Sequence, residues 1–179
     1  MTEKQETILA VALRLFAGQG YENTPTSQIA KEAGVSEGLI FRHFENKDGL
    51  LRALIADGQA RVQRLMDQIA QETDPKRILA RTIDLPLTLI SKEREFWSLQ
   101  FILKYNSKYA AALKAESDYY GTLLGAVGQA FATLGYDQPE RETELLILLL
   151  EGFGSSLLMQ SDSTDPTALV QFIKSKYNV

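Results

Sequence analysis

The chain has 179 residues, 45% of them hydrophobic, no cysteine and a formal charge of −4 at neutral pH. That apolar content fills a real core, and the missing thiols exclude disulfides, thiolate nucleophiles and cysteine-based zinc or iron–sulfur sites. The acidic balance excludes a protein that holds nucleic acid by bulk charge, so any such contact must be local.

In chain order, Ile8, Leu9, Ala12, Leu13, Leu15 and Phe16 recur at helical spacing and the run closes at Gly18 and Gly20, which predicts an amphipathic helix over 3–18. Thr24 reads as an N-cap and Pro25 as the first helical position of a second helix, whose apolar residues Ile29, Ala30 and Ala33 end at Gly34. Ser36 caps a third helix with Leu39, Ile40 and Phe44 on its buried side. Asn46 caps a long fourth one that runs through Leu50, Leu54, Ile55, Val62 and Leu65 toward Pro75. Beyond Pro75 strict alternation is absent, and helices are expected at about 76–91, 93–104, 107–134, 139–160 and 165–177, with Pro86 kinking the first of them. The fold class is therefore all-α. The opening MTEKQETI lacks a signal-peptide pattern and the longest apolar run, LLILLL at 145–150, is far too short to span a bilayer, so a cytoplasmic protein with no membrane partner is expected.

Ala30, Gly34 and Ile40 have the spacing of a helix-turn-helix: a small residue for close approach, a glycine for the left-handed turn, and an aliphatic residue that packs the second helix on the first. Around them IAKEAGVSEGLIFRHFENKDGLL resembles the N-terminal DNA-binding domain of the TetR family of transcriptional regulators, over about residues 5–55. The expected division is a helix-turn-helix domain at 1–46, with its motif at about 25–44, joined to a larger helical effector-binding and dimerisation domain at 47–179.

A recognition helix reads the major groove near its N-terminus, and hydroxyls and cations hold the phosphates. Thr24, Thr26 and Ser27 are hydroxyls suited to phosphate, and Ser36 caps the helix that carries Glu37, Gly38 and Leu39. Gly38 lets the backbone approach DNA, Leu39 suits a thymine methyl, and Arg42 and the chain's only histidine, His43, reach phosphate or a base edge. Lys47 adds positive charge at the start of the fourth helix. The resemblance implies that Thr26, Ser27, Glu37, Gly38, Leu39, Phe41, Arg42, His43 and Lys47 face double-stranded DNA. Glu37 departs from the family, where this position is often cationic or neutral: it repels phosphate and suits a cytosine amino group. Residues 1–50 carry five cationic against seven acidic side chains, so non-specific binding should be weak and salt-sensitive.

In the larger domain Trp97, Phe101, Tyr105, Tyr109, Tyr120 and Phe153 are candidates for the pocket of an apolar or aromatic small-molecule effector, against a competing reading as plain core. Gly121, Gly125 and Gly128 lie inside a helix at a cost of about 1 kcal/mol each, selected by close helix approach or by room for a ligand. The apolar run LLILLLEGFGSSLLM in the helix at 139–160, followed by the helix at 165–177, exceeds what a small monomer hides, and the resemblance implies a homodimer through these two helices. No cofactor or metal is called for. An enzyme finds no G-x-S-x-G, no phosphate-binding glycine loop and no histidine outside the recognition segment. The remaining competitor is a helical small-molecule-binding protein of the same fold that does not bind an operator.

Overall fold

A computed structural model describes residues 1–104, 121–159 and 165–179. Among these every regular element is an α-helix: α1 (Glu3–Gln19), α2 (Thr26–Glu32), α3 (Glu37–Phe44), α4 (Lys47–Ala70), α5 (Pro75–Lys104), α6 (Gly121–Thr133), α7 (Pro139–Leu158) and α8 (Pro166–Lys176). None is long and apolar enough to cross a membrane. Two compact units emerge. The first holds residues 1–61 and 95–104; the second holds 62–94 and the described residues after 120.

In the first unit the apolar positions of α1 do what their spacing predicts: Ile8, Ala12 and Phe16 are fully buried, as are Ile29 of α2, Ile40 of α3 and Leu50 of α4. Thr2 and Gln5 close a capping box at the head of α1. Phe96 of α5 lies directly over Gly58 of α4, where any side chain would collide with its ring.

In the second unit α6 ends at Gly135 (φ 82°), with Gly135 N donating to Ala132 O and Tyr136 N to Phe131 O, the paired bonds of a Schellman cap. The expected kink at Pro86 is not where the helix breaks. The backbone of α5 is helical through Pro86 and leaves the helical region at Glu93 (φ −137°, ψ 44°). A proline removes one N–H but its fixed φ is helical, so the turn around it can persist. Just past the break, the Arg94 guanidinium donates to Leu157 O and Leu158 O, both at 3.2 Å, and so satisfies carbonyls that the end of α7 leaves open. Lys174 of α8 pairs with Asp84 of α5 at 2.7 Å.

The core of this unit includes an aromatic cluster of Phe131, Tyr136 and Tyr177, with Phe131 and Tyr177 ring centroids 5.3 Å apart. The Tyr177 hydroxyl is buried and makes no well-aligned hydrogen bond among the described residues, although the Glu142 carboxylate lies close to it. Burial first, and then the negative charge of Glu142, push its pKa up from 10.0 to about 12. Below the unfolded value the phenol is neutral in both states. As pH climbs toward the folded value the unfolded chain ionises first, so stability is lost over that window. Tyr177→Phe removes an orphaned polar group and is expected to stabilise the protein by about 1 kcal/mol. It should also flatten the alkaline loss. Urea unfolding at neutral pH and near pH 11 checks both, and a destabilised variant would mean that the hydroxyl has a partner.

The outward side of α7 is apolar: Leu145, Leu148 and Leu149 are exposed at 44%, 61% and 39%, and Met159 just beyond the helix at 71%. Phe172 of α8 is 68% exposed.

Candidate nucleic-acid interface

The turn between α2 and α3 is built by the residues that the spacing singled out. Gly34 takes φ 66°, its N–H donates to Lys31 O, and Val35 N donates to Ala30 O at 3.0 Å, which closes α2 with a Schellman cap. Ala30 is 4% exposed and Ile40 fully buried, so α3 rests on α2 through a small residue and an aliphatic one. Phe44 anchors the other end of α3. Glu45 then adopts φ 67°, ψ −50°, and Asn46 N donates to Phe44 O at 2.7 Å: a γ-turn, strained for a residue with a side chain. Asn46 caps α4 as its sequence predicts, its Oδ1 accepting from Gly49 N at 2.8 Å.

With Ile40 and Phe44 buried, the opposite side of α3 is left outward. Ser36, Gly38, Phe41 and Arg42 are exposed, and Glu37, Leu39 and His43 are half-buried. A Cβ built on Gly38 meets nothing within 4 Å. Ser36 occupies the cap position in extended conformation but its hydroxyl makes no capping bond. Arg42 forms no ion pair among the described residues. His43 is oriented from α1: Gln5 Oε1 accepts from Thr2 N at 2.8 Å, so Gln5 Nε2 is the donor facing His43 Nδ1 at 3.5 Å, and this leaves Nε2–H of His43 as the outward donor.

On α2, Ser27 is exposed and Thr26 half-buried. Thr24 requires a correction. It is fully buried, and its hydroxyl donates to Gly20 O at 2.8 Å while accepting from Gln19 Nε2, so it plugs the α1–α2 turn and has no path to a phosphate. Nor does it cap α2, which begins one residue later than expected with Pro25 at the cap. Lys47 leans back on that same turn: its Nζ donates to Glu22 O at 3.3 Å and lies 4.4 Å from the centre of the Tyr21 ring, whose hydroxyl donates to Asp48. Lys31 and Glu32 are exposed, as a solvated face requires. Arg14, donating to Glu32, and then Gln28 hold that carboxyl below its usual range. The Glu37 carboxylate is occupied as well, accepting from the Thr26 hydroxyl at 2.6 Å.

Sequence reasoning missed Gln5, Tyr21 and Gly49. The capping box at Thr2 and Gln5 was a visible signal for the first, whereas nothing local marks the other two as neighbours of α3 and α4.

Of the candidate pocket residues, Trp97 and Phe101 are half-buried in the first unit and Phe153 is buried in the second. Tyr105, Tyr109 and Tyr120 lie outside the described residues. The indole Nε1–H of Trp97 is buried with no acceptor among the described residues. A groove between α6 and α7 is lined instead by Leu124, Gly125, Gly128, Ala132 and Thr143 among others. Gly128 lies there within ordinary contact of Thr143, which suits close helix approach. Among the described residues no three His, Asp or Glu side chains gather as a metal ion would require.

Residues 8–54 match the family of bacterial regulatory proteins, tetR family. The chain is 26% identical over 141 residues to the HTH-type transcriptional regulator YerO of Bacillus subtilis, a match spanning 72% of this chain and 48% of that protein. It spans less than half of two further curated relatives. Two solved structures share the fold at a TM-score of 0.77. One is the transcriptional regulator FadR from Bacillus subtilis in complex with stearoyl-CoA, 20% identical with 95% of each chain covered. The other is a transcriptional regulator from Saccharomonospora viridis in complex with choline, 22% identical, covering 98% of this chain and 95% of that one. The ordered turn at Gly34, the outward face of α3 and the match over 8–54 agree: residues 8–54 form a helix-turn-helix domain similar to that of the bacterial regulatory proteins of the tetR family.

Proposed function

We propose that the chain is a ligand-responsive, DNA-binding transcriptional regulator, a homodimeric repressor that occupies a palindromic operator and leaves it when a small effector binds. Residues 1–46 read the DNA, and 47–179 hold the effector and the second copy. One observation carries the DNA reading: Gly38 stands at the exposed head of α3 with open space where its side chain would be. Nothing inside the protein needs a glycine there, and a helix is less stable for having one. Close approach of something outside explains it, and a nucleic-acid backbone or base edge fits the neighbours. Arg42 and the Nε2–H of His43 donate, Leu39 and Phe41 offer apolar surface for a thymine methyl, and Ser27 and Thr26 carry hydroxyls for phosphate. Ser36 flanks them. Lys47 supports phosphate binding from the start of α4.

Gly38→Ala should therefore separate folding from binding. We expect it to stabilise α3 by roughly 0.5–1 kcal/mol and to weaken binding to labelled DNA from upstream of the gene by about tenfold or more. Fluorescence anisotropy with thermal unfolding checks the pair, and unchanged affinity would remove this support. The competing reading, a ligand-binding protein that never engages an operator, draws on Glu37 sitting across Thr26. In the same assay it expects no duplex to bind better than random DNA.

The effector reading rests on this chain's own residues, because stearoyl-CoA and choline, held by the two neighbours, are chemically unlike. Trp97 and Phe101 in the first unit suit an apolar or aromatic molecule, and the indole N–H of Trp97, which has no acceptor among the described residues, suits one acceptor atom on it. α4 leaves the recognition helix through the Asn46 cap, so an effector that prefers one tilt of α4 changes how α3 meets DNA. Adding such a compound to the anisotropy assay should release DNA with a coupling of about 1–3 kcal/mol. A compound that binds without altering DNA affinity would argue against the switch.

A further inference from the structure

The contact between α2 and α3 has a consequence for how strongly this protein holds any DNA. Thr26 Oγ1 lies 2.6 Å from Glu37 Oε1, and a carboxylate only accepts, so the hydroxyl is the donor. A threonine hydroxyl has one proton. While Glu37 holds it, Thr26 presents only lone pairs outward, and these repel a phosphate oxygen. The carboxylate itself stands at the edge where a phosphate on Thr26 would lie. From this we infer that Glu37 is an internal competitor of the DNA backbone: it occupies Thr26 in place of a phosphate and must give up that hydrogen bond before Thr26 can donate to DNA. The inference rests on the DNA-binding reading above and adds what Glu37 does within it.

The effect falls on every sequence alike, because the backbone is the same in all of them. Glu37 thus lowers the sequence-independent part of the affinity and leaves discrimination to α3. The charge balance of this region points the same way. Residues 1–50 carry more acids than bases, and the cations near the turn are partly engaged, Arg14 with Glu32 and Lys47 with Glu22 O. Non-specific retention is weak in such a domain, and a carboxylate on the phosphate-facing threonine weakens it further.

The test is a double-substitution cycle in the full chain, using a labelled random-sequence duplex and the duplex enriched by selection from a randomised library. Glu37→Gln keeps the side chain's size and a hydrogen-bond acceptor but removes the charge. It should tighten binding to both duplexes by a similar factor, about tenfold. Thr26→Val should change affinity by less than about twofold in the wild-type chain, where the hydroxyl is already spent, and weaken it about fivefold or more in a Glu37→Ala background, where no acceptor holds the hydroxyl and it is released to phosphate. Two outcomes would overturn the inference. In one, Glu37→Gln weakens the selected duplex and spares the random one, which makes Glu37 a reader of a base; in the other, the two substitutions act independently. Failure of the wild-type chain to bind either duplex at low salt would instead overturn the DNA-binding reading itself. Thermal unfolding of each variant confirms that the comparison is between folded proteins.

Discussion

Gly49→Ala is expected to destabilise the protein by about 2–3 kcal/mol, although the same change at an unobstructed helix position stabilises by roughly 0.5–1 kcal/mol. Gly49 is the third residue of α4, and a Cβ there lands on the backbone carbonyl of Phe44, well inside contact distance of its oxygen. Neither side yields. The Phe44 ring is locked in the core at 7% exposure, and its carbonyl already accepts from Asn46 N across a turn in which Glu45 has been forced to positive φ. Relief requires that the end of α3 lift from the start of α4, so DNA affinity should fall together with stability. Urea unfolding at neutral pH measures the first and anisotropy the second. A variant as stable as the wild type would show that the joint is looser than its geometry. The contrast with Gly38→Ala is informative, since one substitution at two glycines in neighbouring helices has opposite expected signs. At Gly38 the space is empty and waits for a partner; at Gly49 it is filled by the chain itself.

The same pair shows what a sequence discloses. The helix-turn-helix was legible because each of its parts is punctuated locally: a capping residue, a glycine that must take positive φ, and apolar residues every three or four positions. Ala30, Gly34, Ile40 and Asn46 all do the work their spacing implies. Thr24 was misread because a hydroxyl before Pro25 has the form of a helix cap, and only the three-dimensional turn shows that Gly20 O claims it. Pro86 was misread because proline constrains its own φ more surely than it bends a helix, whereas the boundary expected between the helices at 76–91 and 93–104 matches the break at Glu93. Glu37 and Thr26 stand eleven residues apart, and no periodicity predicts their hydrogen bond. Gly49 and Phe44 are closer in sequence, yet their contact depends on a γ-turn at a glutamate that propensity would place elsewhere. What remained hidden is contact between elements. Trp97, Phe101 and Phe153 could be named as aromatic residues but not assigned a shared wall.

Leu148→Asp is expected to convert the protein from dimer to monomer at micromolar concentration, with the dissociation constant of the dimer rising roughly 100-fold or more. Leu148 and Leu149 follow Leu145 by three and four residues along the outward side of α7, all at least 39% exposed, with Met159 just past the helix and Phe172 on α8 exposed as well. Gly152 continues that row and has nothing within 4 Å of where its Cβ would be, which lets a second helix come close. An uncovered leucine forgoes about 1.5–3 kcal/mol of burial, so a row of them is stable in water only if something covers it. In the homodimer proposed above, a second copy supplies that cover. Two-fold symmetry turns one apolar row into a four-helix contact, and the substitution then enters the interface twice, once from each copy. Because Leu148 is mostly exposed within its own protomer, the variant should keep its helicity and fold, which circular dichroism can confirm. Light scattering then reports the mass. A wild-type monomer, or a variant that stays dimeric, would place the interface elsewhere. The DNA consequence is distinct from that of Gly49→Ala: each recognition helix survives, but the two are no longer tied at successive major grooves roughly 34 Å apart. Affinity for a palindromic duplex should therefore collapse toward that for a single half-site, while binding to one half-site stays at the wild-type level.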